Sequence, residues 1–120
     1  MSTQPTTEFV MIVVSVPVAH TEAVQEAMCG AGAGTVDDGR YDRVTYVSRW
    51  TAHCRVLDGA WANAGARGAE HATEESRVEA ICRRDRVEDV IKAIVSAHPY
   101  EVPAITVLPT LTGEYRYWEG

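Results

Sequence analysis

Phe9-Val10-Met11-Ile12-Val13-Val14-Ser15-Val16 is apolar at every position but one and rich in β-branched residues. Such a run is a strand, and with both faces apolar it belongs in the middle of a sheet. Pro17 stops it. A chain organised around this segment needs strands beside it and a cover for each of its two faces.

The remaining elements follow in order. Thr21 is placed to cap a helix and Glu22 to meet its dipole, and Ala23, Val24, Ala27, Met28 and Ala31 form one apolar stripe. The run Gly30-Ala31-Gly32-Ala33-Gly34 ends that helix, and Asp37-Asp38-Gly39 reads as a turn. Val44 to Trp50 is a second strand, with Val44, Tyr46, Ser48 and Trp50 on one side, and Thr51 to Leu57 a short hairpin partner. Residues 58–73, rich in Gly and Ala and carrying Trp61 and His71, read as a long loop. Arg77 to Cys82 alternates with period two and is a strand with one solvated face. Asp85 and Glu88 have capping-box spacing, and Val87, Val90, Ile91, Ile94 and Val95 keep a helical stripe. Ala104 to Leu108 is the last strand, and Thr112-Gly113 turns the chain into an aromatic tail with Tyr115, Tyr117 and Trp118. Residues 1–7 are a disordered tail and 8–120 a single domain.

Two strand-helix-strand units give an α+β fold: a ferredoxin-like split βαβ sandwich, βαββαβ, with an antiparallel sheet. Right-handed crossovers place both helices on one face. The other face of the first strand, either the Val10, Ile12, Val14, Val16 set or the Phe9, Met11, Val13 set, is then left without a cover. At about 25 cal/mol per Å² of apolar area, leaving it in water forgoes several kcal/mol. Self-association through the sheet is the expected remedy, and folding back of the 58–73 loop the competing one.

The net charge of -6, with no block of Lys or Arg, argues against nucleic acid and anionic membranes as partners. The apolar run Phe9 to Val18 is too short to span a bilayer, and the N-terminal residues lack the pattern of a signal peptide. Three cysteines, 29, 54 and 82, with no CxxC pair, favour free thiols and a cytoplasmic location.

His98-Pro99-Tyr100-Glu101-Val102-Pro103 lies between the second helix and the last strand. Its prolines stiffen the backbone, holding an imidazole, a phenol and a carboxylate at a sheet edge. Together with Val16-Pro17 and His20, the Gly30 to Gly34 run, Tyr41-Asp42 and the Arg55 to Gly59 segment, this stretch resembles the YqfO-type domain of the dinuclear-metal, cyclohydrolase-like proteins. From His98 through Leu108-Pro109 to Tyr117-Trp118 it is also similar to CutA, and so to the PII-like group. The resemblance implies a homotrimer that holds a small ligand or a divalent metal ion in clefts between subunits. It also implies that the dinuclear metal site of the larger relatives lies in another domain. The chain departs from the YqfO pattern at Val47 to Trp50, at His53 to Leu57 and from Trp61 to Thr73.

The candidate ligand-binding residues are His20, Tyr46, Arg49, Trp50, His53, Arg55 and Tyr100. Aromatics interleaved with Arg49, Arg55 and Arg67 suit a flat anionic ligand. The candidate metal ligands are His53, His98 and Glu101, against a structural role for His98 as a helix-end cap. His53 beside Cys54 is suitable chemistry for a soft metal or a nucleophile, but neighbouring strand residues point to opposite faces. His71 with His53 is a weaker metal pairing across a subunit boundary. The glycine run lacks a trailing Lys-Ser/Thr and is no phosphate loop. Three functions follow: a trimeric binding module, a small enzyme with a remodelled cleft using His53, Cys54, Tyr46, Arg49 and Glu101, or a structural trimerisation domain that holds partners. No catalytic residue is assigned, and any cofactor is at most a divalent metal ion.

Overall fold

The computed structural model describes residues 8–57 and 68–111. Its elements are β1 (Phe9–Pro17), α1 (Thr21–Gly30), β2 (Tyr46–Arg55), β3 (Glu70–Arg83), α2 (Val87–Ala97) and β4 (Ala104–Pro109). A single 3-10 turn precedes each helix, Val18–His20 and Arg84–Arg86. The four strands form one sheet in the order β2-β3-β1-β4, with every neighbouring pair antiparallel. This is the ferredoxin-like βαββαβ arrangement, with the apolar first strand inside the sheet as its two-sided pattern requires.

One face of β1 carries Val10, Ile12, Val14 and Val16, all buried. They meet Val78, Ala80 and Cys82 of β3, Val24 and Met28 of α1, and Val90 and Ile94 of α2 in one core. The helices therefore lie on this face. The opposite face, called open below, carries Phe9, Met11, Val13 and Ser15 from β1. By register it also takes Glu75, Arg77, Glu79 and Ile81 from β3 and Tyr46, Ser48 and Trp50 from β2. Val13 and Ile81 are nonetheless buried, so the open face is less bare than the sequence implied.

Both helix starts differ from the sequence expectation. Thr21 is the first helical residue and makes no cap; its Oγ1 donates to the Val18 carbonyl at 2.8 Å and meets the Ser76 hydroxyl at 2.6 Å. The Asp85–Glu88 capping box does not form, because residues 84–86 are wound as the 3-10 turn and Asp85 pairs with Arg83 at 3.5 Å. The glycine run behaves as expected. Gly34 has φ +81°, and a Cβ there would lie 2.8 Å from the Val44 carbonyl oxygen, so only glycine fits.

The larger correction concerns residues 46–73. Thr51 to Arg55 is no separate hairpin partner but the second half of β2, and β3 starts at Glu70, seven residues earlier than its alternation suggested. His71 therefore lies in a strand and not in a loop. Period-two alternation is clear only where one face is solvated and the other buried, and residues 70–74 lack that contrast. Trp61, Arg67 and the rest of the 58–67 segment, the first seven residues, and the aromatic tail lie outside the described residues.

β3 pairs with β1 only from Glu75 onward, whereas β2 pairs with β3 back to Glu70. Thr51–Arg55 and Glu70–Glu74 thus form a two-stranded arm beyond the end of β1. β2 is exposed along almost its whole length, with Tyr46 60% and Val47 47% accessible.

Candidate functional site

The last turn of α2 gives way at His98, whose backbone N–H still bonds Ile94 while its φ and ψ are already extended. The residue preceding a proline is biased to that shape, so Pro99 sets the exit of the chain from the helix. The imidazole is buried. Its Nε2 donates to the carbonyl of Ser15 at 2.6 Å, and its Nδ1 accepts the Tyr100 backbone N–H at 3.1 Å. This fixes the Nε2–H tautomer and leaves neither ring nitrogen free. His98 ties the loop to β1.

Tyr100 then reaches across the open face. Its hydroxyl donates to Glu75 Oε2 at 2.8 Å. The Ser15 hydroxyl donates to the other oxygen, Oε1, at 2.5 Å and itself accepts the Trp50 indole N–H at 2.7 Å. Because Trp50 can only donate, the Ser15 hydrogen is free for Glu75. The chain of donors thus runs from Trp50 on β2 through Ser15 on β1 to Glu75 on β3, and Tyr100 closes it from the loop. Glu75 is only 5% exposed. A carboxylate this buried would be costly without partners, and here each oxygen has one. Burial, then the hydrogen bond to Glu75 and the nearby negative charges, push the Tyr100 phenol up to about 12.

This network forms one wall of a cavity of about 580 Å³. Ser15, Trp50, Cys54, Glu75, Tyr100 and Glu101 border it, with apolar surface from Val56, Val102 and Ala104. None of the described residues bordering it is Lys or Arg. The Arg77 guanidinium lies over the Trp50 ring, 4.9 Å from its centroid, and pairs with Glu79 at 3.2 Å. Arg77 Nε is buried and has no hydrogen-bond partner among the described residues.

The structure brings together some of the sequence candidates and separates others. Trp50, His53, Tyr100 and Glu101 all border the cavity. His20, exposed in the turn before α1, does not, nor do Tyr46, Arg49 and Arg55. Arg49 pairs with Ser76 on the helix side of β3, and Arg55 sits opposite Glu70 at the end of the arm. The register from Tyr46 to Arg55 is unbroken, so His53 and Cys54 point to opposite faces, and it is His71 that stands across from Cys54. His98 is held entirely by backbone. Among the described residues no group of three or more His, Cys, Asp or Glu is gathered closely enough to hold a metal ion. The described residues of one copy therefore do not fit a divalent ion by themselves.

Sequence reasoning missed Ser15 and Glu75. Ser15 was legible as the single polar residue in an apolar run. Glu75 lay just before the stretch read as a strand, so nothing marked it as buried.

A four-stranded antiparallel sheet with two helices on one face defines a ferredoxin-like α+β fold. The family model described as CutA1 divalent ion tolerance protein matches residues 65–119. The chain is 36% identical over 98 residues to a GTP cyclohydrolase 1 type 2 homolog of Halalkalibacterium halodurans, covering 82% of this chain and 26% of that protein. It superimposes on a Bacillus cereus protein related to NIF3 with a TM-score of 0.75 and 38% identity, over 88% of this chain and 27% of the other. The periplasmic divalent cation tolerance protein CutA of Archaeoglobus fulgidus shares the fold at a TM-score of 0.64 and 13% identity, over 92% of each chain. These comparisons agree with the resemblance read from the sequence: the chain is a relative of the NIF3-related, YqfO-type proteins with a CutA-like fold. It spans about a quarter of the length of the curated relatives it matches. Among the described residues no helix is long and apolar enough to cross a membrane.

Proposed function

We propose that the protein is a trimeric small-molecule binding module whose ligand enters the cavity beneath the His98–Pro103 loop, next to a cleft between copies. The observation that carries this is the buried Glu75 carboxylate, fixed by Ser15 and Tyr100 in the wall of a cavity of about 580 Å³. A preformed concave site with apolar walls and a few placed polar groups is the usual form of a ligand pocket.

Assembly is supported by three features of the same face. The arm beyond β1 is a two-stranded ribbon, which is marginal in water without a third strand or a packing surface. β2 is a ten-residue edge strand without proline or lysine, the kind that pairs with another chain. Arg77 Nε awaits an acceptor. A divalent ion, the notion attached to the CutA1 name, finds no donor set among the described residues of one copy. A cytoplasmic location rests on the three free thiols alone.

Light scattering gives the mass in solution, and a thermal-shift panel of small metabolites and divalent ions on wild type and Trp50→Ala gives the site. The expected result is three copies per particle and at least one ligand whose stabilisation disappears in Trp50→Ala. A lone subunit, or ligands that stabilise both proteins equally, would remove the reading.

A further inference from the structure

Arg49, Arg55 and Arg67 among the aromatics suggested an anionic ligand, but the folded chain places different charges at the cavity. Arg49 and Arg55 do not border it, and among the described residues the acidic or basic side chains that do are Glu75 and Glu101. Glu75 is the more informative of the two. Both of its oxygens accept hydroxyl hydrogens, from Ser15 and Tyr100. A carboxylate oxygen has two acceptor positions, so each keeps one after that bond is made. The donors to it, Ser15 and Tyr100, are neutral, and among the described residues no bordering Lys or Arg balances the charge. Around the carboxylate stand the Trp50 and Tyr100 rings and the apolar side chains of Val56, Val102 and Ala104.

We infer that the cavity selects a small organic cation, an ammonium or amidinium group carried on an apolar or aromatic body. The N–H donors of its head would take the remaining acceptor positions of Glu75, and its body would lie against the aromatic and apolar walls. Both halves of the site favour the same ligand. A buried carboxylate is best satisfied by a charged donor, and aromatic faces attract cations. Among the described residues at the border, an anionic ligand of the same shape would meet two carboxylates and no Lys or Arg. The inference rests on the cavity being the binding site and adds the charge and class of what it takes.

The test uses three probes that share a ring and differ in charge: benzylamine, protonated at neutral pH, benzyl alcohol and benzoate. Binding is read on the wild-type protein from the side-chain indole N–H resonances in 15N-correlated spectra, with the Trp50 signal assigned by Trp50→Phe. Benzylamine is expected to shift the Trp50 signal at concentrations at least tenfold lower than benzyl alcohol, and benzoate to leave it in place. Glu75→Gln should reduce the preference for amine over alcohol to within twofold. If Glu75→Gln does not fold, Glu101→Gln, an exposed position at the rim, serves as the second variant, with a smaller, several-fold loss for benzylamine only. Benzoate or benzyl alcohol binding as well as the amine overturns the cation assignment while leaving the binding site standing. No movement of the Trp50 signal with any of the three overturns both the assignment and the reading beneath it.

Discussion

The two faces of β1 are built on different terms. Val10, Ile12, Val14 and Val16 pack into an apolar core with the helices and β3, and all four are closed off within one copy of the chain. On the other side Ser15 stands in line with Phe9, Met11 and Val13 and holds a buried carboxylate from β3 and an indole from β2. The first face is a folding device: non-directional, tolerant in detail and complete. The second trades burial for direction. Its hydrogen bonds fix where Glu75, Tyr100 and Trp50 stand, while Arg77 Nε has no hydrogen-bond partner among the described residues and β2 is exposed along most of its length. The difference separates what stabilises the protein from what gives it a ligand.

The largest effect should come from breaking the closed face. Ile12 is fully buried, and Ile12→Ala leaves a cavity among α1, α2 and β3. The expected loss is about 3–4 kcal/mol by denaturant unfolding, with no change in ligand preference in the fraction that stays folded. If the variant lost ligand selectivity in proportion to stability, the two faces would not be separable.

Glu75→Gln should cost less, about 1–3 kcal/mol, because one hydroxyl must turn away from the new amide N–H2. Its effect on benzylamine binding should be much larger than its effect on unfolding. That ratio is the reverse of the one expected for Ile12→Ala and is the sharpest measure of the contrast.

The closed face was legible in the sequence and the open one was not, for a physical reason. Burial against helices writes a repeating pattern, and the stripe at Val90 and Ile94 and the apolar run of β1 announce it. The stripes were read slightly too wide: Ala23 and Val95 are exposed. The open face carries its information in single residues. Ser15 and Glu75 are 60 positions apart, and only the β1–β3 register, in which Pro17 stands beside Glu75, brings them together. The His98–Tyr100 motif could be located but not interpreted. Its histidine suited a metal, with a structural role at the helix end favoured, and both ring nitrogens are in fact engaged by backbone. The arm was missed because Gly- and Ala-rich flanks hid the start of β3.

Tyr100→Phe removes one hydrogen bond to a carboxylate and should cost about 1–2 kcal/mol near neutral pH. It also changes the alkaline limb of stability. The phenol is pushed up to about 12 in the folded protein by burial and by Glu75, against about 10 in an unfolded chain. Below pH 10 it is neutral in both states and its contribution is complete. Between pH 10 and 12 the unfolded chain gives up the proton first, so the unfolded state gains and stability falls as pH rises. The wild type should therefore lose stability more steeply than Tyr100→Phe across that window, and the two curves should converge. Parallel curves would mean that the phenol does not feel Glu75 as the geometry requires.

The smallest effect on stability, and the simplest distinction between the faces, lies in the thiols. Cys82 belongs to the closed face, is buried, and burial pushes it up to about 11. Cys29 is half-buried on α1 and is raised by burial, with Arg43 opposing. Cys54 is exposed on the arm and borders the cavity. Since the thiolate is the reactive form, iodoacetamide at pH 8 should label Cys54 first, Cys29 more slowly, and Cys82 only on unfolding. Peptide mapping over time measures all three in one experiment. Saturating benzylamine should slow Cys54 and leave the other two rates unchanged, because only Cys54 shares a wall with the ligand. Equal slowing of all three would mean that the amine stabilises the protein as a whole, and the cavity would lose its claim as the place where it binds.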